Sequence, residues 1–182
     1  MKHRLGAPAS RKHLAWLRSA LGGYSPELLE FYARSDGARL FVDSRDKNTY
    51  FQFIPIANMR AQHYQVDKWL RKNVINVEHD ATGAIDDDGR LRIDGVPKWW
   101  ESCVVFGAEN RAADRMYLAT EGRYAGQVFA FQHDESVSVR IAFSVNELFH
   151  RIHADPVGFT RSAFGGACFE IESYSDKADA AS

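Results

Sequence analysis

Four strand-like runs in close succession, closed by a helix start, constrain the fold of this chain more than any other feature. Residues 103–106, 116–119, 127–132 and 137–143 are rich in β-branched and aromatic side chains and are separated by Gly, Asp, Arg or Ser. Four consecutive strands predict an antiparallel meander. Ser144-Val145-Asn146-Glu147 follows at once and reads as a capping box. In such a box the Ser hydroxyl accepts from the third amide of the helix, while the Glu carboxylate reaches back to the cap's own N–H. A helix therefore begins there. Leu148 and Ile152 fall on one face of it, and Asp155-Pro156 closes it, because the residue before a proline is biased out of the α region.

The first half is punctuated for helices. Ser10 can cap a helix whose Leu14, Leu17 and Leu21 share a face, with Gly22-Gly23 as its stop. Ser25 is a natural N-cap for a second helix. Pro26 fits the first position there, where an N–H would have no partner, and Asp36-Gly37 ends it. Residues 39–43 and 50–54 flank the polar Ser44-Arg45-Asp46-Lys47-Asn48 and read as a hairpin with a five-residue loop. Pro55 opens a third helix, with Ile56, Met59, Val66 and Leu70 on one apolar stripe. Beyond Lys72, Asp88-Gly89 and Asp94-Gly95 mark turns around Leu91-Arg92-Ile93, which predicts an exposed hairpin or loop.

No internal repeat or composition break divides the chain, and 182 residues lie within the range of one domain. Helices at one end and a sheet in the second half predict an α+β fold, a single domain over residues 1–172 with a mostly antiparallel sheet packed against several helices. The Ala-, Asp- and Ser-rich tail, residues 173–182, is expected to be disordered.

Twenty-three basic against twenty-four acidic side chains give a net charge of −1, which supplies no general attraction to nucleic acid or anionic membranes. Cys103 and Cys168 are too few for a disulfide framework and too far apart for a zinc site, so a reduced cytoplasm is the expected setting. Lys2-His3-Arg4-Leu5 precedes no apolar leader, and no apolar run approaches the roughly 18 residues of a membrane span.

Catalytic patterns are missing from the sequence. It contains no G-x-S-x-G elbow, and the segment from Gly122 to Gly126 lacks the Lys and hydroxyl of a phosphate loop. His150 and His153, spaced i and i+3, could share a metal with Asp155 in a small hydrolase, but surface histidines are the simpler account. His133-Asp134-Glu135 reads as a hairpin turn. Neither catalytic residues, metal nor cofactor is expected.

The order of these signals resembles the SUKH superfamily of bacterial toxin-immunity proteins, which also includes a fungal regulator of cell-wall synthesis. Ser25-Pro26-Glu27-Leu28-Leu29-Glu30-Phe31-Tyr32 followed by Asp36-Gly37-Ala38-Arg39-Leu40-Phe41 is similar to the family's early helix and first strand. Ile54-Pro55-Ile56 is similar to its strand-to-helix step. The run from Trp99 to Gly107, Tyr117-Leu118-Ala119, the run from Gly126 to Asp134, and the run from Ile141 to Phe149 resemble its sheet and terminal helix. The chain departs from the family in lacking the leucine usual before the early proline and in its long stretch from Trp69 to Val96.

The resemblance implies a binding scaffold without a catalytic site, acting as an intracellular immunity protein that neutralises a cognate toxin domain by stoichiometric binding. A regulatory scaffold for a housekeeping partner is the alternative. If the toxin is a basic nuclease, Asp86, Asp87 and Asp88 could mimic phosphates and steer association; a solvated loop is the bland reading of the same residues. Trp99-Trp100-Glu101 could place one ring in the core and the other at an interface, since consecutive strand side chains point to opposite faces, or could pack both rings in the core.

Overall fold

The structure is a computed structural model, and it describes residues 2–42, 51–73, 83–87, 89–94, 98–109, 114–156, 158, 159 and 163. Local punctuation sets its helices. The Ser10 hydroxyl accepts from the His13 N–H at 3.2 Å to start α1 (Arg11–Leu21), which stops at Gly22 in the left-handed region, φ 57°. Ser25 caps α2 (Pro26–Arg34) by accepting from the Leu28 N–H at 3.3 Å. A distant residue caps α3 (Ile56–Asn73), where the Ile56 N–H donates to Asp36 Oδ1 at 2.8 Å. Ile56, Met59 and Val66 of the predicted stripe are buried; the Leu70 side chain lies outside the description. Ser144 caps α4 (Val145–Ala154), accepting from the Glu147 N–H at 3.1 Å. The second half of the predicted box differs by one residue, because Glu147 accepts from the Phe143 N–H at 2.8 Å rather than from that of Ser144.

The chain is an α+β protein. Its described strands are β1 (Lys2–Leu5), β2 (Ala38–Val42), β3 (Phe51–Phe53), β4 (Ala84–Ile85), β5 (Leu91–Asp94), β6 (Val104–Glu109), β7 (Arg115–Leu118), β8 (Val128–Gln132) and β9 (Val137–Ala142). They form one antiparallel sheet in the order β1-β2-β3-β6-β7-β8-β9-β5-β4. The predicted meander is its centre, β6 to β9. The predicted hairpin is β2 with β3, whose loop, residues 44–48, lies outside the described residues.

The β2–β3 hairpin joins the meander's sheet through β3, with β1 beyond it, and one expectation needs correction. The segment after α3 is more than an exposed hairpin, for β5 pairs with β9 and buries Leu91 and Ile93, while β4 stays exposed. The predicted tail, residues 173–182, lies outside the described residues.

Register divides the sheet into two faces. Phe53 pairs with Gly107, Gly107 with Met116 and Met116 with Ala130, so these four share one face, and Gln52, Ala108, Arg115 and Phe131 share the other. On the first face, Phe31 of α2 and Phe149 of α4 meet the Phe53 ring at 4.7 and 5.8 Å. On the second, Trp69 of α3 meets Phe131 at 5.9 Å, and Trp100 meets Tyr117 at 5.0 Å. Helices thus cover both faces, each over a buried aromatic cluster. Among the described residues no helix is long and apolar enough to cross a membrane.

Candidate partner-binding surface

Between α1, α3 and the start of β6 lies an open cleft of about 270 Å³, walled by Trp16, Met59, Arg60, His63, Glu101 and Ser102. Helical spacing along α3 builds one wall of it, Met59, Arg60 and His63. Arg60, His63 and Tyr64 lie three and four residues apart along α3, and so on neighbouring rows of its surface. The Arg60 guanidinium sits over the Trp16 ring, 4.9 Å from its centroid, in a cation–π contact that ties α3 to α1. His63 stacks on the Trp100 ring at 5.0 Å, with Nε2 2.9 Å from the Trp100 carbonyl. Tyr64 is 65% exposed beside Arg60. Cys103 also lines the cleft, and burial pushes its thiol well above the ordinary thiol range, which keeps it protonated and unreactive.

The segment Lys98–Ser102 is a 3₁₀ helix, not a strand, so the alternation argued from sequence does not apply to it. Trp100 is only 2% exposed and belongs to the core, which corrects its assignment to partner binding; the Trp99 side chain lies outside the description. Glu101 reaches the cleft wall.

The acidic stretch is elsewhere. In the strand order, β7, β8 and β9 stand between β6 and β5, roughly 5 Å apiece, so the β4–β5 turn is well removed from Glu101. Asp86 closes that turn. Its Oδ1 accepts from the Arg90 N–H at 2.7 Å, and its Oδ2 lies 3.4 Å from the Arg90 guanidinium. Asp87 is exposed, and Asp88 lies outside the described residues. Asp86 is therefore a turn residue before it is a phosphate mimic.

His150 and His153 are exposed on α4, and Asp155 Oδ1 accepts from the Gly158 N–H at 2.9 Å. Among the described residues no three His, Cys, Asp or Glu side chains are grouped to hold a metal.

A second charged cluster forms around the His133-Asp134 turn, with partners that the sequence reading did not connect to it. Buried Asp114 accepts from both the backbone N–H and Nδ1 of His133, at 2.9 and 2.7 Å, and His133 Nε2 lies 2.9 Å from Asp134. Arg115 donates to Gln62 at 2.8 Å; burial lowers its pKa, while Asp114 and Glu109 act to raise it. These contacts pin the β8–β9 turn to the start of β7 and the sheet to α3. Asp114 and His133 come together only through strand pairing, which explains why spacing along the chain gave no sign of them.

No protein-family model matches this chain, and no curated protein matches it.

Proposed function

We propose that this chain acts by stoichiometric protein binding, as a cytoplasmic immunity protein that neutralises a cognate toxin domain, with the α1–α3 cleft as its contact surface. The observation that carries the reading is the convergence of Trp16, Arg60 and Glu101 in one open cleft, with exposed Tyr64 one helical turn from Arg60 along α3. Trp, Tyr and Arg are the residue types in which interface binding energy concentrates, because each combines a large apolar body with directional polar groups. The SUKH resemblance also supports it. That resemblance rests on the Pro26-started early helix, the Ile54-Pro55-Ile56 step and the motifs between Trp99 and Phe149. A buried free thiol at Cys103 suits a reducing compartment. If the toxin is basic, exposed Asp87 at the β4–β5 turn would add to its long-range attraction, away from the cleft itself.

The test is co-expression with the protein encoded immediately beside this one. Rescue of growth with a one-to-one complex is the expected result, and Trp16→Ala and Arg60→Ala should each weaken that complex about 30-fold or more, the loss typical of a hot spot of ~2 kcal/mol. A complex indifferent to both substitutions would move the contact off the cleft. No toxicity and no complex would replace immunity by a regulatory scaffold for a housekeeping partner.

A further inference from the structure

We propose that the α1–α3 cleft receives an acidic side chain of the partner protein, its carboxylate seated on the Arg60 guanidinium. The inference rests on the reading of that cleft as a contact surface and names the chemistry it selects. Its lining carries an excess of hydrogen-bond donors. Arg60 is exposed, with its guanidinium held 4.9 Å from the centroid of the Trp16 ring. Neither side chain makes a hydrogen bond or ion pair among the described residues. The N–H donors of the guanidinium and of the indole are therefore unanswered by the fold.

Other polar groups of the cleft are engaged. His63 directs Nε2 at the Trp100 carbonyl, 2.9 Å away, and the Ser102 carbonyl accepts from the Thr120 hydroxyl. Glu101, the acid on the wall, is not free either. What the cleft lacks is an acceptor that brings negative charge. A carboxylate supplies it, since its two oxygens match the fork of an arginine. A phosphate would call for further cations, and the lining offers one arginine and no lysine. Stacking on Trp16 also orders the guanidinium in advance, so that less freedom is lost when an acid docks. Trp16, Ala20 and Met59 supply the apolar wall for the rest of the occupant, which favours an acid carried on a protein segment over a free ion.

The purified chain is titrated by NMR at fixed ionic strength with the blocked tripeptide Leu-Glu-Leu and, separately, with its neutral twin Leu-Gln-Leu. The first is expected to shift the Trp16 indole N–H and the Arg60 and His63 amides saturably. It should bind about tenfold more tightly than the second, the margin of a charge-assisted hydrogen bond over a neutral one. Arg60→Gln should abolish that preference, whereas Arg34→Gln, in an ion pair with Glu30 on α2, leaves it unchanged. Equal binding of the two peptides, no saturable shift, or a preference that survives Arg60→Gln would overturn the proposal. The contrast between peptides needs no variant, and melting curves check that the variants fold. A cognate complex indifferent to Arg60→Ala would remove the contact-surface reading itself, and this inference with it; a complex that Arg60→Ala weakens, with no preference between the peptides, would remove the acid alone.

Discussion

Tyr32 joins three parts of the molecule through one hydroxyl. From α2 its phenol donates to the Ile54 carbonyl at 2.7 Å, just after β3, and reaches the Phe106 carbonyl in β6 at 3.3 Å. Burial pushes this phenol well above its ordinary value, and the nearby Asp36 charge adds to the effect. Burial does the same to Tyr117 and to the Cys103 thiol. Each of these groups holds its proton in the folded state at a pH where the unfolded chain releases it. Stability is therefore complete below the ordinary values, about 8.5 for a thiol and 10 for a phenol, and falls as pH rises through them. Urea midpoints measured from pH 8 to 11 should decline, and Tyr32→Phe should make the decline shallower; a profile that stays flat would contradict this. Single residues were legible in the sequence where their role is local, as with the caps Ser10, Ser25 and Ser144. For Trp100 the sequence left open which ring of the Trp99-Trp100 pair is in the core; the structure has a 3₁₀ turn there and buries the Trp100 ring.

At the scale of elements, helices were the easier to read because a cap is a bond between residues three or four apart. Ser144 is the clearest test. Ser144→Ala removes the acceptor for the Glu147 N–H at the start of α4, and should lower unfolding free energy by about 1 kcal/mol in urea denaturation. An unchanged midpoint would mean that Phe149 packing alone sets where α4 begins. Edge strands were harder. Lys2-His3-Arg4-Leu5 has no apolar alternation, since β1 is exposed on the sheet's rim, and Ala84-Ile85 is too short to show a period. Both exist because a neighbouring strand offers them hydrogen bonds. The candidate surface shares this limit. Trp16 and Arg60 meet only where α1 crosses α3, and Arg4 pairs with Arg39 only through the register of a strand that the sequence did not announce.

For the whole molecule, the meander was legible because its neighbours in sequence are neighbours in space. The joins β3–β6 and β5–β9 were not, as pairing between distant segments leaves no local pattern. The same interleaved order has a kinetic consequence. The β6–β9 hairpins close short loops, whereas β5 must travel back past the whole meander to reach β9, and β3 must find β6 across α3 and the β4–β5 hairpin. Ordering a longer loop costs more entropy before any contact rewards it. We predict that the centre of the sheet assembles first and its flanks join last. Native-state hydrogen exchange should then show β7 and β8 amides opening only with global unfolding, and those of β5 and β1 through smaller, cheaper openings; the reverse ranking would refute this order.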